Sequence, residues 1–367
     1  MFGITPSARL RPSPYYEATL ADGVSAFSTY NHMLMPTSFG DPEAEYWRII
    51  NGASMWDVAV ERQVELLGPD AGRLAQILCP RRLDRCVVGQ GRYVPLCNHD
   101  GVLINDPILL KLADDHYWLS IADSNIWFWA RAIAAERGLN VRVNEPDVSP
   151  LAVQGPKAVD VVAHLCGDWV RELKYFAFRD FALDGIPLVV ARSGWSKQGG
   201  YELYLRDGRF GTALWNRVKE AGRAWDIGPG SPNFCERVES GLLSYGGDTD
   251  ATTNPYEVRL GKYIDLDVPD DVVGIRALRR IHAEGPARHQ LGVVMDGDEP
   301  VPFTFHWHAI EVDGRKVGDL TNRAWSYRLK KNIGFALIST DCRPGTRVTI
   351  RRDDALVGGT LQELPFI

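Results

Sequence analysis

The stretch VELLGPDAGRLAQILC, residues Val64 to Cys79, returns in altered form as LAVQGPKAVDVVAHLC, Leu151 to Cys166. Each copy reads as an apolar strand, a Gly-Pro turn and a helix that closes on leucine and cysteine. Gly68 and Gly155 supply the turn, and the spacing predicts Pro69 and Pro156 at the first helical position, where a missing N–H costs nothing. The echo predicts two related α/β halves. Chance likeness of two common strand-to-helix turns is the alternative.

Working outward, Asp41-Pro42 opens a helix through Trp47 and Ile50. Asp123 opens another that ends before Gly138, FGTALWNRVKEAG reads as a third, and Ser231-Pro232 opens a fourth. Strands fit HYWLSIA, LNVRVNE, IPLVVAR and YELYL by alternation and by β-branched or aromatic content. Strands interleaved with helices, some joined as hairpins, indicate an α+β fold. Beyond Gln290 the pieces LGVVM, HAIEV, KVGDL, IGFALI and RVTIRR are separated by Gly, Asp and Pro, which predicts a small all-β barrel or sandwich. The expected domains are therefore residues 1–285, with two interleaved α/β subdomains, and 286–367, a β-barrel.

Composition narrows the function. A chain of 367 residues exceeds one ordinary core. With 41 Lys+Arg against 47 Asp+Glu the net charge is −6, which leaves no electrostatic footprint for nucleic acid. Six scattered cysteines form no C-x-x-C pair, as in reduced thiols of a cytoplasmic protein. The first twenty residues carry no apolar signal core, and no run is long and apolar enough for a bilayer. Nucleotide-binding glycine motifs, G-x-S-x-G and H-E-x-x-H are all missing. His306 and His308 in FTFHWHAIE share a strand face, but two ligands specify little, and no metal is expected.

Three segments hold polar groups that need an account. The hairpin VVARSGWSKQGGYELYL, Val189 to Leu205, places Trp195 and Lys197 in its loop and Glu202 just inside the return strand. In SPNFCERVESGLLSYGGD, Phe234, Val238, Leu242 and Tyr245 form an apolar stripe with Arg237 at its edge. A guanidinium there requires an acidic partner or a planar polar ligand, unless it pairs along its own helix with Glu236 or Glu239. In NHDGVLINDPILLKL, Asn105-Asp106-Pro107 interrupts an apolar strand, as a plain turn or as a functional pair.

Taken together these segments resemble the folate-dependent aminomethyltransferase family, the glycine cleavage T-protein and its relatives, over almost the whole chain. TYNHMLMPTSF, WDVAVERQVEL, NDPILLKL, LAVQGPK, ARSGWSKQGGYELY, ERVESGLLSYG and the terminal ELPFI are most similar to the sulfonium-demethylating branch of that family. The resemblance implies a ring of three subdomains around a cavity for tetrahydrofolate, with the pterin deep and the glutamate tail outward. It implies that Glu202 hydrogen-bonds the pterin's donor face, that Arg237 contacts the folate, and that Tyr93, Asn105, Asp106 and Ser124 belong to the same cofactor set. Trp195 would wall the donor pocket, with Tyr30, Tyr93, Phe176 and Tyr204 as further aromatic lining and Lys197 or a backbone amide for a donor carboxylate; Phe176 and Tyr204 sit where strand core is the alternative.

One departure bears on the reaction. Where the glycine-cleavage enzymes carry an acid at the first position of an Asp-Asp pair, this chain has Asn105. Expelling an amine needs proton traffic, for which a carboxylate is apt. Methyl displacement from a sulfonium releases a neutral thioether and asks mainly for alignment. The resemblance thus implies a tetrahydrofolate-dependent demethylase with no assigned catalytic acid or base, acting as a monomer or homodimer on a small methylated donor. A methylated amine, betaine or ether donor, and a non-catalytic folate-binding protein, are the alternatives.

Overall fold

The computed structural model describes residues 7–301, 306–352 and 355–367; residues 303–305 of FTFHWHAIE and the first six of the chain lie outside these. By contacts the chain forms two compact units. The first comprises residues 1–74, 86–92 and 107–233, and the second residues 75–85, 93–106 and 234–367.

The first unit carries a five-stranded sheet, in the order Arg142–Asn144, Gln63–Leu67, His116–Ser120, Ile108–Ala113, Gln90–Tyr93, and a six-stranded sheet. The latter runs Phe178–Leu183, Ile186–Ala191, Gly200–Leu205, Ser149–Gln154, Ser54–Asp57, Gly228–Gly230. The two echoed segments each contribute a strand, one to each sheet, followed by helices Ala71–Leu78 and Ala158–Cys166. Gly68 and Gly155 take φ of 137° and 117°, and a Cβ on Gly155 would lie 2.5 Å from the carbonyl oxygen of Gly52. Only glycine fits that approach. The prolines are not at the first helical position. Ala71 and Ala158 donate back to the carbonyls of Gly68 and Gly155, so each proline sits inside the turn, two residues before its helix.

Period-2 alternation divides the six-stranded sheet between two environments. Leu151, Val153, Leu188, Val190, Leu203 and Leu205 pack with Val161, Val162, Leu214, Trp215 and Val218 of helices Ala158–Cys166 and Gly211–Ala221. On the opposite face Val189, Ala191 and Tyr204 meet Leu110 and Trp118 of the five-stranded sheet. Glu202 and Tyr204, two residues apart on one strand, therefore share the face between the sheets.

Capping agrees with expectation at helix Pro42–Asn51, where Asp41 accepts from Ala44 N at 3.0 Å. It fails at Ile126–Glu136. Asp123 instead accepts from Asn31 N at 2.7 Å, pinning a hairpin tip whose Asn31 and His32 have φ of 49° and 61°. Ser231 lies three residues before helix Phe234–Glu239, and its hydroxyl donates to the Thr37 carbonyl at 3.0 Å.

In the second unit, strands Arg288–Met295, Lys331–Ser339, Arg315–Ser326, His308–Val312, Arg347–Arg351 and Leu356–Gln362 close a barrel in that order. Leu291, Val293, Ile310, Ile338, Val348 and Ile350 fill it. The barrel also packs with residues that precede it in sequence. Cys97 and Leu103 of the short hairpin Leu96–Cys97/Leu103–Asn105 share one core with Leu243, Val258, Leu278 and the barrel's Leu337.

The helix expected over 231–248 is only Phe234–Glu239. Gly241, at φ 68°, ends it, and Leu242 N turns back to the Arg237 carbonyl at 2.8 Å. Leu242 and Tyr245 are thus off the helical stripe.

Candidate functional site

The candidate residues fall into two groups, one on each unit. On the first unit the hairpin pairs Ala191 with Glu202, and residues 192–199 form its loop. Gly194 and Gly200, at φ 148° and 152°, exist for a neighbour: a Cβ on either would lie 2.0 or 2.6 Å from Gln154 Nε2. Fully buried Gln154 donates to the carbonyls of Ser193 at 3.1 Å and Tyr201 at 3.3 Å and accepts from Ser196 Oγ at 2.8 Å. The glycines are the space in which this amide holds the loop.

That loop presents Ser193 to Glu202. The Glu202 carboxyl is 4% exposed, and its Oε2 accepts from Ser193 Oγ and from Tyr204 Oη at 3.0 Å. Its other oxygen, Oε1, has no hydrogen-bond partner among the described residues. Burial raises the carboxyl's pKa, with the two hydroxyls opposing. A carboxylate fixed through one oxygen can take a ligand's N–H groups on the other.

The other candidates of this unit divide. Trp195 is half-buried in the loop and Lys197 is exposed on it. Tyr30 is half-buried at the end of its hairpin strand. Phe176 is not on a strand; it takes φ 64°, its carbonyl accepts from Gly91 N at 2.6 Å, and its ring meets Tyr175 at 4.3 Å. The ring of Tyr204 is core, 0% exposed and packed with Trp118 and Val189, the alternative the sequence offered for it, and its hydroxyl donates to Glu202. Ser124 lines a cleft of about 650 Å³ with Arg62, Gln63, Asn125, Trp127 and Glu145. The Arg62 charge in that cleft is taken by Glu145, and Glu202 is not part of its wall.

On the second unit, Tyr93 Oη donates to Asp106 Oδ2 at 2.7 Å. Desolvation pushes the Asp106 carboxyl up to about 7; the Tyr93 hydrogen bond opposes this and the charge of Asp248 adds to it. Asn105, fully buried, accepts Asp106 N on its Oδ1 at 3.0 Å, so the turn is held by its own side chain. Arg237 is 1% exposed and pairs with Asp248. Its Nη1 donates to Asp248 Oδ2 at 2.6 Å and to the Leu242 carbonyl at 3.1 Å, and its guanidinium lies 5.4 Å from the Phe335 ring centroid.

Asp248 also accepts from Ser244 N at 2.8 Å and Asn322 Nδ2 at 3.1 Å. Arg237 is therefore an anchor for the 242–248 turn. Ser193, Gln154 and Asp248 are the residues that sequence reasoning left without a role; each stood in a quoted motif, but nothing short of their contacts separates them from ordinary polar loop residues.

Among the described residues no group of three or more His, Cys, Asp or Glu could hold a metal, and no helix is long and apolar enough to cross a membrane. His308 is buried and His306 exposed. All six cysteines are free and buried.

Known proteins match along the whole chain. The family described as GCVT N-terminal domain matches residues 15–268, and the glycine cleavage T-protein C-terminal barrel domain matches residues 288–367. Dimethylsulfoniopropionate demethylase DmdA of Ruegeria pomeroyi is 42% identical over 364 residues, 99% of either chain. An aminomethyltransferase of Caldanaerobacter subterraneus is 28% identical, over 89% of this chain and 86% of its own. The crystal structure of glycine cleavage system aminomethyltransferase T from Bartonella henselae shares the fold at a TM-score of 0.85 and 21% identity, covering 97% of this chain and 98% of its own.

Proposed function

The chain belongs to the glycine cleavage T-protein family, and on that premise we propose that it is a tetrahydrofolate-dependent demethylase that moves a methyl group from dimethylsulfoniopropionate to N5 of tetrahydrofolate, giving 5-methyltetrahydrofolate and methylthiopropionate. The observation that carries the folate half is the Glu202 carboxyl, buried, fixed through Oε2 and open at Oε1. A pterin edge offers parallel N–H donors, which suit a carboxylate held in one orientation.

Bound tetrahydrofolate supplies the nucleophilic nitrogen. The chain's residues orient it: Glu202 is assigned to the pterin, and Tyr93 and Asp106 are assigned to the folate. Asp106, with its carboxyl near 7 and steadied by Tyr93, can accept or release a proton on its oxygens at neutral pH. Arg237 serves from behind, keeping the 242–248 turn in place through Asp248.

The donor half is supported by the 42% identity to the Ruegeria demethylase and by charge logic. A sulfonium is attracted by aromatic faces, at about 0.5–2 kcal/mol per well-placed ring. Half-buried Trp195 and Tyr30 provide such faces, and Lys197 is the cation offered to the donor carboxylate. The leaving thioether is neutral, so amide Asn105 suffices where amine expulsion would need an acid. The reading carries with it a cytoplasmic enzyme that uses no metal; six buried cysteines without a disulfide suit a reducing compartment.

The test is turnover. Purified protein with tetrahydrofolate is offered dimethylsulfoniopropionate, a betaine, a tertiary methylamine and a methyl ether, and 5-methyltetrahydrofolate is followed by mass. Formation from the sulfonium alone is expected. Faster turnover of an amine or ether overturns the donor, and folate binding with no turnover of any donor overturns catalysis.

A further inference from the structure

The two larger sheets of the first unit meet across an apolar face, and a line of hydrogen bonds crosses it. Gln63 opens strand Gln63–Leu67 of the five-stranded sheet and stands directly opposite Ser120, the last residue of strand His116–Ser120. Both side chains are buried, as are Tyr204 and Glu202 on the six-stranded sheet. Gln63 Nε2 donates to the Glu61 carbonyl at 2.7 Å and to Ser120 Oγ at 2.9 Å. Ser120 in turn hydrogen-bonds the Tyr204 hydroxyl, which donates to Glu202 Oε2 at 3.0 Å.

Proton counting gives this line a direction. An amide nitrogen carries two N–H groups and accepts nothing. The Glu61 carbonyl takes one of them, so turning the amide over would set two oxygens against each other at 2.7 Å. The other N–H lands on Ser120 Oγ. An ionised Glu202 only accepts, so the Tyr204 proton goes to it and the Ser120 proton is left for Tyr204 Oη. Glu61 Oε2 competes for that proton from 3.4 Å, at the long end of a hydrogen bond. Donation from Gln63 strengthens the Ser120 O–H, and each link polarises the next. Meanwhile Gln63 Oε1 is buried with no hydrogen-bond partner among the described residues. An orphaned carbonyl oxygen is destabilising, and an apolar side chain of that size would avoid it. Packing therefore leaves the amide unexplained, whereas its two-pronged donor explains it.

We infer that Gln63 is a positioning residue for Glu202, acting through Ser120 and Tyr204 to hold the carboxyl by Oε2 and leave Oε1 to the ligand. The inference rests on the reading of Glu202 as the pterin's acceptor, and it carries the site back from the six-stranded sheet into the five-stranded one. Burial raises the Glu202 carboxyl, and the Ser193 and Tyr204 hydroxyls oppose it. Burial, then the charges of Glu202 and Glu61, raise the Tyr204 hydroxyl, so Tyr204 stays protonated and donating. A donor line that ends on Oε2 favours the ionised carboxyl, the form that can accept a pterin N–H.

The experiment replaces Gln63 with Met, which keeps length and burial and donates nothing; Gln63→Leu takes its place if that protein does not fold. The Glu202 carboxyl is followed by carbon NMR with isotope-labelled glutamate, its resonance identified by its loss in Glu202→Gln. Its titration midpoint should rise by about half a pH unit or more in Gln63→Met, because a donor line to the charged form is weakened. Ser120→Ala should raise it too, and Gln63→Met added to Ser120→Ala should change it no further, a non-additivity that general loosening of the fold would not produce. Tetrahydrofolate affinity, by calorimetry on the same proteins, should fall by about threefold or more below the midpoint, the equivalent of that half unit, and by less above it. An unmoved midpoint in the Gln63 variant, or additive shifts in the double variant, overturns the positioning role. A midpoint that rises while tetrahydrofolate affinity stays level at every pH leaves that role standing and overturns the pterin reading of Glu202.

Discussion

Replacing Glu202 with glutamine isolates the carboxylate with almost no change of shape. In the wild type Oε2 holds two hydroxyl donors and Oε1 is left for the ligand. The amide keeps one acceptor oxygen for Ser193 and Tyr204 but turns a donor toward the ligand's donors. A hydrogen bond to a charged group contributes about 1.5–3 kcal/mol, so tetrahydrofolate affinity should fall by about 10- to 150-fold. Stability should move little at neutral pH, because weaker hydroxyl bonds are offset by relief of a buried charge.

The sign with pH is fixed by the direction of the shift. Burial raises the folded carboxyl above its unfolded value of about 4.3. Its contribution is then fully present below that value and is lost as pH rises through the folded pKa. Glu202→Gln should therefore gain on the wild type from pH 5 to pH 8, read as the difference in urea midpoints, with folate affinity measured by calorimetry on the same samples. A folded variant whose affinity lies within threefold of wild type refutes the pterin assignment; a stability difference that moves the other way refutes the electrostatic account.

Arg237→Ala should destabilise by about 3–5 kcal/mol, because it strands Asp248 at 0% exposure. Arg237→Met with Asp248→Leu should cost less than the single change in a denaturation cycle, and a single-variant cost under 1 kcal/mol would show the pair to be dispensable. Trp195→Ala should weaken dimethylsulfoniopropionate binding more than Trp195→Phe does, with the wild-type preference for the cation over methylthiopropionate largely kept in Phe; no such preference in the wild type removes the sulfonium argument. Asn105→Asp should lower stability by placing a second buried acid beside Asp106 and should not raise turnover, and a marked rate gain would show that a carboxylate is wanted there.

Local chemistry was enough for much of this protein. Gly-Pro turns, alternating strands and the β-rich tail are written in nearest-neighbour terms, so the echoed halves, the hairpin around Trp195 and the barrel were legible from residues alone. Glu202 also announced itself, as a charge on a strand whose other residues are apolar or aromatic. The partners of those residues were not legible, because a hydrogen bond between distant segments leaves no periodic trace. Gln154 and Gly194 are forty residues apart, yet the glycine is required by the amide. Arg237 called for an acidic partner or a planar ligand, and only the fold shows that Asp248, beyond the early end of its helix, is such a partner. Tyr204 could have faced a pocket or a core, and the sheet packed against it decided for core. Which acids neutralise which cations depends on three-dimensional proximity alone, and for that reason the pairing of Arg288 with Asp250 and Glu257, like that of Arg237 with Asp248, emerged only from the fold.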